Sequence, residues 1–357
     1  MNEMMEKRNR TIDVAKGFGI ILVVMGHSVS FLKDWIYLFH MPLFFFLSGY
    51  CYRNSYHQTW TDLFLLLKKR LQGLYLPFVK YGLLFVLLHN FFYHIYVYSN
   101  PEVWTHNKMQ YFYSWNDWVH AILSTLAFAR IEQLLNPFWF LPALFLATMG
   151  YAFFLFLGKT IKKIPFFAEI CVIALFSISC LIGIQENKVL RIITISSLAM
   201  IPFSLGRLYH QYMMKKIPLR NPLVMAICLL GLFLGPHYGY LNMANFDFSS
   251  VPFFLIMSIM GIYIFLSVSC MFSESKKMIY IGQHTIEIMA WQYLSFKLIS
   301  LFIIFFENRP IRDLGYATLN YGTAWDFLYA VCGVLIPLLL SELYKKSGIW
   351  GRHLSGR

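Results

Sequence analysis

Polar residues in this chain fall in short clusters between long apolar runs, and most of the clusters are basic. Read as helices, the runs give about ten spans: 11–31, 36–54, 73–97, 137–157, 165–184, 189–208, 221–236, 251–272, 278–305 and 324–344. Their lengths lie near the roughly twenty apolar residues a helix needs to cross a bilayer. A weaker stretch at about 118–134 is too short and polar to span and reads as an interfacial or re-entrant piece. The clusters Lys68–Arg70, Lys159–Lys163, Lys215–Arg220, Lys276–Lys277 and Lys345–Lys346 then fall on one side, the cytoplasmic one, together with Lys7, Arg8 and Arg10. Arg309 and Arg312 are the main exceptions. The pattern predicts an all-α polytopic membrane bundle of about ten transmembrane helices with both termini cytoplasmic. It reads as one domain over 1–357, with a short leader (1–10) and a tail (345–357).

Composition sharpens the picture. Hydrophobic residues make up 58% of the chain and charged ones only 13%, and the mean hydropathy is +0.57. Such a chain belongs in a membrane, multi-pass, in contact with lipid. A net charge of +13 in a soluble protein would suggest nucleic acid. Here the excess Lys and Arg belongs to cytoplasmic loops, and no basic soluble domain is present to bind nucleic acid. Cys51, Cys171, Cys180, Cys228, Cys270 and Cys332 form no CxxC pair, so neither a disulfide framework nor a zinc ribbon is indicated. The first run is too long for a signal-peptide core and lacks a small-residue cleavage site, so it reads as retained.

The first run, Thr11 to His27, carries the chemistry. Asp13, Lys16 and His27 lie in a span, where an ionisable side chain is costly and by default a functional candidate. Lys16 and His27 are eleven residues apart, roughly 16 Å along a helix axis and about 20° around it, so they share one stripe. Asp13 stands one turn before Lys16, in reach of an ion pair. The plainer alternative for Asp13 and Lys16 is bundle packing, with the Lys snorkelling to the interface. His27, beside Gly26 and Ser28 at the outer end, suits general-base work.

His40 directly precedes Met41-Pro42, so its helix starts or kinks there and its ring could face a cavity; a short outer turn would pair it with His27. Ser48 and Gly49 fit small-residue packing, and Ser48 lies about 12 Å deeper than His40, out of reach as a nucleophile. Asn136 through Phe145 places Trp139 and neighbouring aromatics between Pro137 and Pro142, either an interfacial anchor or a cavity wall. Glu287, one turn after His284, is buried in the span map and needs a partner; Lys297 lies further outward. His89 and His94 read as interfacial and His353 as part of a solvated tail. Zinc at His27 and His40 would lack a third ligand. No Gly-rich phosphate loop or GxSxG elbow occurs.

Five segments together resemble the integral-membrane acyltransferase family 3, most closely its fucose 4-O-acetylase-like branch. They are Ile12–Gly17 with Met25-Gly26-His27, Phe39–Tyr50, Asn136–Phe145, Ile201–Arg207 and Tyr280–Met289. The resemblance covers the whole chain, and its first two segments are the specific ones. It implies a bundle of about ten helices that takes an acyl group, usually acetyl, from cytoplasmic acyl-CoA to a sugar hydroxyl at or beyond the outer face. Acetyl-CoA is then a co-substrate, with no bound cofactor. The family's first helix usually carries Arg, ten residues, then His. Lys16 takes the Arg position here, keeping the charge but losing the planar fork. Gln292 stands near a position where the branch often has His.

The residues and the resemblance converge on a membrane O-acyltransferase acting on a cell-surface glycan or lipid-linked sugar in the inner or plasma membrane. His27 would be the base, and His40 would orient or stabilise the oxyanion. Lys16, held by Asp13, would contact CoA. Asn136, Trp139 and Glu287 are further candidate substrate contacts. The alternative is a proton-coupled secondary transporter of sugars or lipid-linked precursors, with His27 and Asp13 relaying protons. It lacks an inverted repeat and matched broken spans. A non-catalytic scaffold would leave the buried charges and the histidine pair unexplained.

Overall fold

The computed structural model describes residues 9–99, 111–161, 164–183, 187–214, 216–319, 322 and 324–347. The leader to Arg8, Trp104, Lys162, Lys163, Lys215 and His353 lie outside them. The described residues are almost entirely helical; the strands are one two-residue antiparallel pair, Leu241–Asn242 with Asp247–Phe248.

In chain order the helices are α1 (Arg10–Ser28), α2 (Lys33–Tyr37), α3 (His40–Tyr50), α4 (Trp60–Arg70), α5 (Leu76–Leu87), α6 (His89–His94), α7 (Trp115–Leu126) and α8 (Phe140–Ile161). They continue as α9 (Phe167–Ile182), α10 (Lys188–Leu208), α11 (Pro222–Tyr238), α12 (Val251–Met271), α13 (Lys276–Gln283), α14 (Thr285–Phe306) and α15 (Ala324–Ser347). Their starts are written locally. Asn9, Asn187, Asn221, Ser250 and Ser275 each cap a helix by accepting a backbone N–H, and Pro222 and Pro252 occupy first-turn positions where no N–H is needed. Thr59 with Asp62, and Ser114 with Asp117, form reciprocal capping boxes at α4 and α7.

Among the described residues six helical stretches are long and apolar enough to cross a membrane: α1, 133–161, 189–213, α12, α14 and 324–346; α9 and α11 are apolar but shorter. Exposed Leu181, Leu339 and Phe305 show that the apolar residues of these helices also face outward. So much outward apolar surface suits lipid, not water.

Two expected spans take another form. In place of one helix over 36–54, α2 and α3 are separate, and α3 has eleven residues, about 16 Å, half a bilayer core. The expected 73–97 span is instead the second half of a helical run from Trp60 to Leu87, so Lys68–Arg70 lie within a helix. A π-turn at Leu71–Tyr75 joins α4 to α5, with Leu76 N–H donating to Leu71 O. It falls just before Pro77, whose ring would crowd a regular α-helical turn.

The centre of the bundle is α1, which packs against α3, α12, α13, α14 and α15. Val14, Ala15, Ile20, Val23 and Val24 are all buried. A Cβ on Gly282 would overlap the Asp13 carbonyl, and one on Gly17 would meet the Met278 carbonyl. These glycines allow α1 and α13 to touch backbone to backbone. Gly49 and Gly206 play the same part where α3 crosses α10.

Candidate active site

Around the outer end of α1 the fold assembles a compact polar group inside an apolar bundle. His27 keeps some accessible surface, but its Nδ1 is buried with no hydrogen-bond partner. The Tyr293 ring of α14 lies 5.4 Å away, centroid to centroid, and the Gln292 carboxamide is within hydrogen-bonding reach. Gly26 lets the Tyr37 ring come close to α1, and the Tyr37 ring lies tilted against His40, 5.0 Å between centroids. His40 is buried and near enough to His27 for their charges to interact. The expected pairing of the two histidines is therefore present.

His40 has a defined tautomer. Its Nδ1 lies 2.8 Å from the Ile36 carbonyl oxygen, which can only accept, so Nδ1 carries the proton and Nε2 presents a lone pair. A neutral His40 therefore has no second N–H to give to an oxyanion. The oxyanion role anticipated from sequence does not fit this geometry; an orienting or accepting role does.

The other candidates sit apart. Asp13 is buried in the first turn of α1, and Lys16 is half-buried one turn on. No Asp13–Lys16 ion pair forms among the described residues, so the anticipated mutual neutralisation is not how these groups are held. Near this end of α1 a cavity of about 290 Å³ is lined by Arg10, Glu274, Lys276, Ile279, Tyr280 and Gln283. Glu287 lies in the first turn of α14, close to Tyr81 and Tyr280. That is about 8 Å of helix rise short of Gln292. Asn136 is exposed and Trp139 half-buried. The segment they share packs on α14, where Phe138, Tyr81 and Trp291 make a run of edge-on rings.

Three polar groups were misread or missed in sequence. His89 is fully buried, not interfacial: Nδ1 meets Glu132 Oε2 at 2.8 Å and Nε2 the Tyr111 carbonyl at 3.0 Å. Tyr113 and Arg130 donate to the other Glu132 oxygen at 2.9 and 3.2 Å. Burial pushes the Glu132 carboxyl up, but the His89 hydrogen bond and charge, with Arg130 and Tyr113, outweigh it and hold it below the usual range. This network staples the segment after α6 to the approach of α8. Lys297, also fully buried, donates to the Leu314 and Tyr316 carbonyls at 2.7 and 2.6 Å, pinning the loop after α14 into the bundle. Arg70, inside α4, has a buried Nε with no partner. Among the described residues no cluster of three His, Cys, Asp or Glu could hold a metal ion.

An almost wholly helical set of described residues, with apolar faces turned outward and two neighbouring histidines, His40 buried and His27 partly so, defines a multi-pass membrane protein with a polar site inside the bundle. Residues 9–342 match the family model of an acyltransferase domain, and the chain belongs to that family, acyltransferase family 3. No curated protein and no solved structure matches it. Membership supports acyltransferase activity and points against the transporter alternative.

Proposed function

We propose that this protein moves an acyl group, most simply acetyl, from cytoplasmic acyl-CoA to a hydroxyl of a cell-surface glycan or lipid-linked sugar in the cell membrane. The observation that carries this reading is the His27–His40 pair, His40 buried and His27 partly so, with unspent ring nitrogens, within an acyltransferase-family bundle. The acceptor oxygen attacks the thioester carbonyl and forms the new ester bond. The carbon–sulfur bond breaks, and the hydroxyl proton passes through His27 to the departing CoA thiolate. His40, through its Nε2 lone pair, orients the acceptor by receiving a hydrogen bond from it. Lys16 and Lys276, the latter lining the cavity where Arg10 is paired with Glu274, supply positive charge toward the anionic donor, as point charges and not as a planar fork. The chain crosses the membrane about ten times with both termini inside, α2 with α3 and then the α4–α5 run taking the second and third passes.

The test is label transfer. Purified protein given acetyl-labelled CoA and the lipid-linked glycans of its host membrane should release free CoA thiol and label the glycan. His27→Gln keeps size and hydrogen bonding but cannot serve as the base, and should lose roughly 100- to 10,000-fold in turnover. Wild-type turnover in His27→Gln would end the assignment of His27. No transfer and no thiol release by the wild type would end the acyl-transfer reading.

A further inference from the structure

Gln292 has no accessible surface. Its Nε2 donates within its own helix to the Met289 carbonyl at 3.4 Å, which leaves Oε1, buried and without a partner. A buried amide oxygen left unpaired is costly, so its retention calls for a reason. The neighbouring side chain is His27, whose Nδ1 is likewise buried and unpartnered. The two atoms are complementary: the imidazole can present an N–H, and the amide oxygen can only receive one. The Val23 carbonyl also faces the imidazole, but Nδ1 completes no hydrogen bond to it. Tyr293, next along α14, lies against the His27 ring and limits its rotation.

We propose that Gln292 is the positioning residue of this site: its Oε1 receives the Nδ1–H of His27 and so fixes the tautomer whose Nε2 lone pair faces the acceptor hydroxyl. The inference rests on the acyl-transfer reading for its consequence, not for its geometry. A carboxamide suits the task inside a membrane. It orients the ring as a carboxylate would, without placing a further negative charge in a low-dielectric bundle. It also leaves the proton affinity of the imidazole less altered than a carboxylate would, so the base releases its proton readily to the thiolate.

The experiment uses full-length protein in lipid nanodiscs with ¹⁵N-labelled histidine, the His27 resonances being assigned from their loss in His27→Gln. Wild-type His27 should show a single Nδ1–H form, and Gln292→Leu a mixture of tautomers. With acetyl-CoA as donor, Gln292→Leu should lower kcat at least about tenfold while leaving KM for acetyl-CoA unchanged, as expected when a base loses its orientation. Gln292→Glu should keep the tautomer. Its added charge should move the acid limb of the rate profile upward by about one pH unit or more, because the imidazole then protonates at higher pH. An unchanged His27 spectrum or a kcat within twofold of wild type in Gln292→Leu overturns the proposal. If that variant fails to fold, an unmoved acid limb in Gln292→Glu overturns it. A wild type without acyl transfer would remove the reading of the reaction, while the nitrogen spectra would still decide the role of Gln292.

Discussion

At the scale of single residues, Lys16 and His57 show how surroundings decide what a charge does. Lys16 sits in a continuous α1, about 16 Å of helix rise from His27, and has no carboxylate partner among the described residues. A half-buried cation without a local counter-charge is suited to an anionic ligand. Lys16→Ala should weaken acetyl-CoA binding at least about tenfold, and Lys16→Arg should retain most of it, both measured by equilibrium binding; unchanged affinity in Lys16→Ala would leave Lys16 a packing residue. His57, on the loop before α4, is shifted down to about 4, first by burial and then by Arg207 and Lys159. The unfolded chain takes up this proton near pH 6.5, so folding is favoured above that pH and the contribution is lost as pH falls toward 4. Thermal unfolding at pH 5 and 7.5 should therefore show a smaller acid-induced fall in Tm for His57→Gln than for wild type. Sequence picks out His27 and His40 as candidates, because a histidine in an apolar run stands out. It could not show that Ile36 takes the His40 proton, nor that Gln292 meets His27, since both depend on which helix faces which.

At the scale of elements, boundaries set by caps and prolines were legible, and those set by packing were not. The expected bounds of 251–272, 189–208 and 221–236 lie within two residues of α12, α10 and α11, whose starts carry Ser250, Asn187 and Asn221. The break before α3 was legible at Met41-Pro42, which marks a helix start or kink at His40, and α3 does begin at His40. The split of α13 from α14 at His284 was missed although Gly282 stands two residues before it, because the apolar run reads on through 278–305. The ring's Nδ1 bonds the Tyr280 carbonyl and its Nε2 meets Lys345, so the irregular turn is held by side chains remote in sequence. The α1–α13 contact yields a sharp prediction. Gly282→Ala would put a methyl group into the Asp13 carbonyl, and because backbone opposes it, no rotamer can relieve the clash. Overpacking of this kind costs about 1–3 kcal/mol or more. Gly282→Ala should lower Tm by several degrees, whereas Gly73→Ala, with open space around it, should be close to neutral.

At the scale of the whole molecule, the question is which ends of the helices share a side of the membrane. α14 has 22 residues, about 33 Å of helix, matching a hydrocarbon core of about 30 Å. It runs from the Lys276–Lys277 cluster of α13 to the loop holding Arg309 and Arg312, two basic ends that charge counting alone cannot separate. The interior of the bundle separates them. Lys297 holds the Leu314 and Tyr316 carbonyls, so that loop folds back over the part of α14 that lies one turn beyond its contact with His27. His284 and Lys345 meet at the opposite end, tying the start of α14 to the basic end of α15. On the proposed function, the Arg309–Arg312 side is the acceptor side and the Lys276–Lys345 side the donor side. In a protein whose six native cysteines are replaced by serine or alanine, a membrane-impermeant maleimide should label Arg312→Cys and Trp115→Cys on intact cells. It should label Lys277→Cys only after the membrane is opened. Both chosen arginine and lysine positions are exposed, so failure to label would reflect the membrane and not burial in the fold. Labelling of Lys277→Cys on intact cells would reverse the orientation, and with it the assignment of donor and acceptor sides on which the roles of Lys16 and His27 depend.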